Sequence, residues 1–339
     1  MYQSLLSGFA VSLCLATAAQ AMPDMPAAPQ QQEKPADTRP KQVVIISFDG
    51  AHDNKLWQRS RALGQETGAH FTYFLSCVFY LERADRAQYQ PPRMKAGRSN
   101  VGFAQDKAEI ATRLDQVWKA NLEGHEIASH GCGHFDGKSW TAKEWAQEIQ
   151  AFRTIVGNAW SANKIDGEPE GWKDLVYNKI TGFRAPYLSD DKPVQTALRE
   201  SGFAYQASGV TSGPELPKNL AGLKSFGLPL IPEGPARKPV IAMDYNLYVR
   251  HSGGKEKPEQ AAQFGQRSYD AFMNAFNKQY DGQRIPLQMG FHFVLMNNGA
   301  YWNALERFAR DVCKREDVRC VSYQDYLAEP ELHKRQTVL

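Results

Sequence analysis

The sequence has almost no excess charge of one sign. Across 339 residues, 40 lysines and arginines face 37 aspartates and glutamates, a formal net charge of +3, and the two signs interleave. Without a basic run to track a phosphate backbone, nucleic acid is not an expected partner. Beyond residue 21 no apolar run approaches the ~20 residues that a spanning helix needs, so no membrane span is expected either. The zinc-peptidase helix motif is missing as well. His125-Glu126-Ile127-Ala128-Ser129 begins like H-E-x-x-H but puts serine where the second ligand must stand. Nothing in the composition implies a protein partner, and the length can bury one full α/β core.

What is present begins with a processing signal. Leu5 to Ala19 is an unbroken run of apolar and small residues, and Ala19-Gln20-Ala21 fits the small-x-small cleavage rule. Residues 1–21 therefore read as a signal peptide, although Met1-Tyr2-Gln3-Ser4 carries no Lys or Arg. Residues 22–41, rich in Pro, Gln and Ala, read as a disordered leader. The folded domain is expected over 42–327, with a tail at 328–339 and a periplasmic or secreted location.

Export gives the few cysteines meaning. Of five, Cys14 leaves with the signal, and an even set remains: Cys77, Cys132, Cys313 and Cys320. In an oxidising compartment these read as pairs. Cys313 and Cys320 flank a helix end and a turn, and Cys77 and Cys132 each follow an expected strand. A Cys77–Cys132 bridge competes with Cys132 as a metal ligand, and the bridge is the favoured reading.

From Gln42 onward strand and helix signals alternate. Val43 to Phe48 is a continuous apolar run of the kind a central parallel strand shows. Further strands are expected at 70–76, 126–129, 182–183, 204–206, 240–243, 287–291 and 319–321. Helices are expected at 55–68, 107–122, 258–279 and 301–314, and after the Thr141-Ala142-Lys143-Glu144 capping box. This βα repetition suits a barrel whose site lies at the C-terminal ends of its strands. Polar clusters stand at those ends. The first strand runs into Asp49-Gly50-Ala51-His52-Asp53, and the third into His130-Gly131-Cys132-Gly133-His134. Later ends give Arg184-Ala185-Pro186-Tyr187, Met243-Asp244-Tyr245-Asn246 and Phe291-His292. His130 and His134, four apart, would share one side of a helical turn and could grip one divalent cation. Three segments, 80–103, 158–179 and 208–239, read as long loops. Their Tyr89, Arg93, Trp160, Trp172 and Phe226 could wall a cleft.

Phe48-Asp49, His130-x-x-x-His134, Phe183-Arg184-Ala185-Pro186-Tyr187 and Phe291-His292, in this order, resemble the motifs of the polysaccharide deacetylases. These are the NodB-homology domains of carbohydrate esterase family 4, and the C-terminal part is similar to their chitin-deacetylase-like branch. The resemblance spans roughly 42–327. It implies an α/β fold, a distorted (β/α) barrel of seven or eight strands in a single domain, and removal of N-acetyl groups from a glycan. It further implies a divalent metal, zinc, on His130 and His134, with Asp49 as base and His292 as acid. The Tyr187 backbone N–H would hold the oxyanion, Arg184 would orient Asp49, and Asp244 would orient His292. The family's second aspartate, the third metal ligand, is here Gly50. Asp53 is the preferred substitute, with His52 or water next. An acetylated chitin-like or peptidoglycan-like glycan is the implied substrate, and a non-catalytic glycan-binding protein is the alternative.

Overall fold

Strand β1, Gln42–Asp49, is buried along its whole length because both of its faces are covered. Side chains alternate across a strand. Val44, Ile46 and Phe48 join the large core between sheet and helices. Val43 and Ile45 join a smaller cluster with Phe74, Ala128, Tyr205, Ala207, Phe226 and Tyr323, on the concave side of the sheet. The same alternation carries Ser47 and Asp49 to that inner face, where Asp49 ends the strand.

The computed structural model describes Met1 and residues 39–333. The expected signal peptide apart from Met1, most of the expected leader and the last six residues of the expected tail lie outside the described residues. The remaining strands are β2 (Thr72–Leu75), β3 (Glu126–Ser129), β4 (Gly182–Phe183), β5 (Tyr205–Thr211), β6 (Lys218–Leu220), β7 (Leu223–Glu233), β8 (Lys238–Ile241), β9 (Leu287–His292) and β10 (Val318–Cys320). They form one curled sheet, in the order β10-β1-β2-β3-β4-β5-β7-β6, with β9 also on β1 and β8 on β7. All pairings are parallel except those of β6 and β8 with β7. Residues 242–243 close the ring: Ala242 N–H donates to the Pro229 carbonyl, Gly290 N–H donates to the Ala242 carbonyl, and Met243 bridges Gly290. The result is the expected distorted (β/α) barrel in a single domain.

The helices begin where local chemistry starts them. Helix Ala142–Gly157 opens with the expected capping box of Thr141 and Glu144. Helix Asn54–Thr67 is capped by Asp53 and ends at Gly68, whose φ of 69° suits glycine. Both expected disulfides, Cys77–Cys132 and Cys313–Cys320, are formed.

The segment 208–239 differs from expectation. It is not a loop but carries the end of β5, all of β6 and β7, and the start of β8. Pro229 and Pro232 lie inside β7, and proline within an apolar run argues against a strand in sequence. The pairing tolerates them because Pro229 is the last residue paired with β5, opposite Thr211, and Pro232 lies beyond it, opposite Pro239 of the edge strand β8.

Candidate active site

The register of β1 on β9 makes Asp49 and His292 direct neighbours at the strand ends. Period-two alternation also puts Arg184, one residue beyond β4, and His130, one beyond β3, on the inner face. Four polar groups from four strands thus converge at one rim of the barrel.

Arg184 is wholly buried and each of its three side-chain nitrogens donates. Its Nη1 donates to Asp49 Oδ1 and to Ser47 Oγ at 2.8 Å each, its Nε donates to the Ala207 carbonyl at 2.8 Å, and its Nη2 donates to the Tyr323 hydroxyl at 2.9 Å. The guanidinium lies 4.4 Å from the Phe74 ring centroid. Burial alone would push the Asp49 carboxyl up. The Arg184 guanidinium, with its hydrogen bond and the nearby His292, outweighs burial and brings it below the ordinary carboxylate range. Asp49 is therefore ionised at neutral pH.

His292 is held from the other side. Asp244, fully buried at the start of helix Asp244–Ser252, accepts from His292 Nδ1 on Oδ1 at 2.7 Å and from the His292 backbone N–H on Oδ2 at 2.8 Å. Burial pulls the imidazole pKa down, but the Asp244 carboxylate and the hydrogen bond to it raise it above that of a free histidine. Its side chain keeps 27% exposure, so the ring reaches solvent at the cleft.

His130 and His134 meet with ring centroids 5.1 Å apart. They do so on a loop and not on the helical turn that their spacing suggested. The backbone bends at Gly131 and His134, with φ of 69° and 55°. His130 Nδ1 lies 2.7 Å from the Arg184 carbonyl. A carbonyl can only accept, so Nδ1 carries the proton and Nε2 keeps its lone pair. Burial depresses His130 to about 3, and burial with the His292 charge lowers His134. Both rings are neutral at pH 7.

The loop is braced by Glu148, which the sequence reading missed, and by the expected disulfide. Buried Glu148 accepts from the Cys132 and Gly133 N–H groups at 2.8 and 3.3 Å and from the Tyr89 hydroxyl, while the Cys77–Cys132 bridge fixes the loop covalently. One signal was available: Glu148 falls on the apolar face of its helix, beside Trp145, Ile149 and Phe152. Tyr323 had no comparable signal.

Tyr187 sits in a tight turn with φ of 56°, exposed, its ring centroid 5.2 Å from that of His134. Tyr245, also exposed, lies 6.2 Å from the His292 ring. The aromatics expected in the cleft wall are elsewhere: Tyr89, Trp160, Trp172 and Phe226 are buried as packing. Arg93 pairs with Glu144.

Asp53 does not join the histidines. Its Oδ1 accepts from the Lys55 and Leu56 N–H groups at 2.8 Å, the ordinary work of an N-cap. His52 is also diverted. Its ring stacks on Phe79 at 4.7 Å and its Nδ1 lies 2.9 Å from the Gly50 carbonyl. Among the described residues no group of three or more His, Cys, Asp or Glu is placed to hold a metal. The donor chemistry nevertheless suits a divalent cation with two protein ligands. Two neutral imidazoles lie together, one with its tautomer fixed by a carbonyl, and Gly50 leaves open space, its nearest neighbour being Phe79 Cε2 at 4.0 Å from a built Cβ. Asp53→Ala is accordingly expected to lower unfolding stability by about 0.5 to 2 kcal/mol in denaturant titration through loss of the cap. The metal content of the purified protein should not change, and loss of metal in this variant would make the carboxylate a ligand.

No family model matches the sequence. A curated relative, chitin deacetylase 1 of Bombyx mori, is 22% identical over 211 residues, covering 55% of this chain and 36% of the relative, so the match spans about a third of that protein's length. A solved structure from Mycobacterium smegmatis, assigned as a polysaccharide deacetylase, superposes with a TM-score of 0.51 at 17% identity, covering 85% of this chain and 90% of the other. With its barrel, its strand-end motifs and these relatives, the chain has the fold of the polysaccharide deacetylases, the NodB-homology barrel.

Proposed function

We propose that this protein is an exported, metal-dependent deacetylase that hydrolyses N-acetyl groups of a chitin-like or peptidoglycan-like glycan. The observation that carries the reading is the pairing of two oppositely tuned groups on adjacent strands. Arg184 lowers the pKa of Asp49 and Asp244 raises that of His292, within one register pair. An amide hydrolase needs a base for the attacking water and an acid for the departing amine, and environments that push two pKa values apart supply both.

His130 and His134 would hold the ion, and imidazole nitrogen is a ligand that suits zinc. The chemistry it would supply when bound is polarisation of the acetyl carbonyl and acidification of a water toward ~7. Asp49 would take the water's proton, with Arg184 fixing its carboxylate. His292 would deliver a proton to the amine nitrogen, with Asp244 holding its ring. The Tyr187 N–H would donate to the developing oxyanion. Tyr187 and Tyr245, exposed on either side of the rim, would offer faces on which sugar rings stack. Export is supported by the signal-like N-terminal sequence and by two disulfides, which persist in oxidising compartments. No described helix is long and apolar enough to cross a membrane.

Acetate release from N-acetylglucosamine oligomers and from peptidoglycan, with and without added zinc, tests the reading. Zinc-stimulated acetate release is the expected result. Gly50, which supplies no second carboxylate beside the histidine pair, favours one second reading, a glycan-binding protein without turnover. Measurable glycan binding with no acetate from any N-acetylated substrate would establish it.

A further inference from the structure

The segment 81–104 leaves the barrel after β2, closes on itself where Glu82 bridges Ala104, and returns to the site. Its Asn100 N–H donates to the Gly133 carbonyl at 2.8 Å and its Nδ2 donates to the His134 carbonyl at 3.0 Å. The segment is therefore tied directly to the histidine loop. Immediately before Asn100 lies an open cavity of about 490 Å³, lined by Arg83, Arg86, Gly97, Arg98, Ser99, Gly102 and Phe103. The volume falls within the roughly 300 to 1,000 Å³ typical of small-molecule sites.

Three guanidinium groups face one cavity, and no carboxylate lines it. Among the described residues none of the three makes a side-chain hydrogen bond or an ion pair. At the other cavities no three arginines gather: one is lined by Arg237 and by Arg267, which pairs with Glu233 at 2.6 Å, and another by Arg307, which donates to Gln266 and lies 3.7 Å from the Tyr269 ring centroid. Like charges gathered without counter-ions repel, and a bound anion relieves that repulsion. The backbone also makes room for one of them: a Cβ on Gly97 would lie 2.9 Å from Arg86 Cγ. Arg forks match planar carboxylates two bonds at a time, and the half-buried Phe103 offers an apolar face to a sugar ring.

We propose that this cavity is an anionic subsite that takes a carboxylate-bearing sugar of the glycan whose acetyl group is presented to the barrel rim. The inference rests on the deacetylase reading for its choice of a glycan, and it narrows the substrate class to acidic glycans. It is tested by binding and not by turnover, so absence of acetate release and absence of the subsite are separate outcomes. Calorimetric titration would compare a neutral N-acetylglucosamine tetramer with a tetramer alternating N-acetylglucosamine and glucuronate. The acidic tetramer should bind roughly 10-fold tighter, the sum of three exposed charge contacts, and the advantage should shrink with added salt. The triple variant R83Q/R86Q/R98Q should lose this preference while keeping its affinity for the neutral tetramer and its thermal midpoint. Equal affinity for the two tetramers, or a preference retained in the triple variant, overturns the proposal. Displacement of the acidic tetramer by inorganic phosphate but not by free glucuronate reassigns the cavity to phosphate esters and overturns the carboxylate assignment.

Discussion

His292→Ala is expected to cut acetate release by about 10² to 10⁴, the usual worth of a positioned general acid, while leaving glycan affinity and bound metal in place. The ring matters in its protonated form, so activity should fall as pH rises through its pKa. Asp244 lies against Nδ1 at 2.7 Å and holds that pKa above the ordinary value of ~6.5, which places the alkaline limb of kcat/KM above that pH. Asp244→Asn removes the charge and keeps the shape. The alkaline limb should then move to lower pH, with a smaller loss at acidic pH than His292→Ala shows. An unmoved limb in Asp244→Asn would mean that another group supplies the proton.

Arg184→Met is expected to destabilise the fold by about 3 to 5 kcal/mol, measured by denaturant unfolding, and to abolish turnover. The cost comes from what is left behind. Asp49 becomes a buried charge without its partner, and Ser47, the Ala207 carbonyl and the Tyr323 hydroxyl each lose a donor. With the guanidinium gone, the Asp49 pKa should rise, so any residual activity should need higher pH. The double variant Asp49→Asn/Arg184→Met removes the stranded charge and should recover part of the stability without recovering activity. If the double variant is as unstable as the sum of the two single ones, the pair is not coupled and Arg184 acts through packing alone.

The sequence by itself determined the alternation of strand and helix and the side to which the strand-end residues point, and the reason is periodicity; the distorted barrel was what the family resemblance implied. The apolar run of β1 requires burial on both faces, and alternation along it assigns Asp49 to the side opposite Phe48 whatever the remaining chain does. The same logic carries His130, Arg184 and His292 to the inner face, since each ends or just follows a strand. The capping box at Thr141 and the cysteine pairs were also legible, because each depends on local spacing or on an even count in an oxidising compartment.

Tertiary structure decided the rest. Asp53 reads in sequence as the preferred substitute ligand, and only the folded chain places its Oδ1 against the Lys55 and Leu56 amides as a helix cap. His130 and His134 share a side by virtue of a loop bent at positive φ, a shape that four-residue spacing cannot distinguish from a helical turn. The Tyr89, Trp160, Trp172 and Phe226 rings carry no mark in sequence to say whether they face solvent or core, and the packing of the long segments buried all four. The Tyr323 hydroxyl reaches Arg184 across 139 positions of chain. No local pattern encodes such a contact, because it exists only when β4 and the C-terminal turn are brought to the same face of a closed sheet.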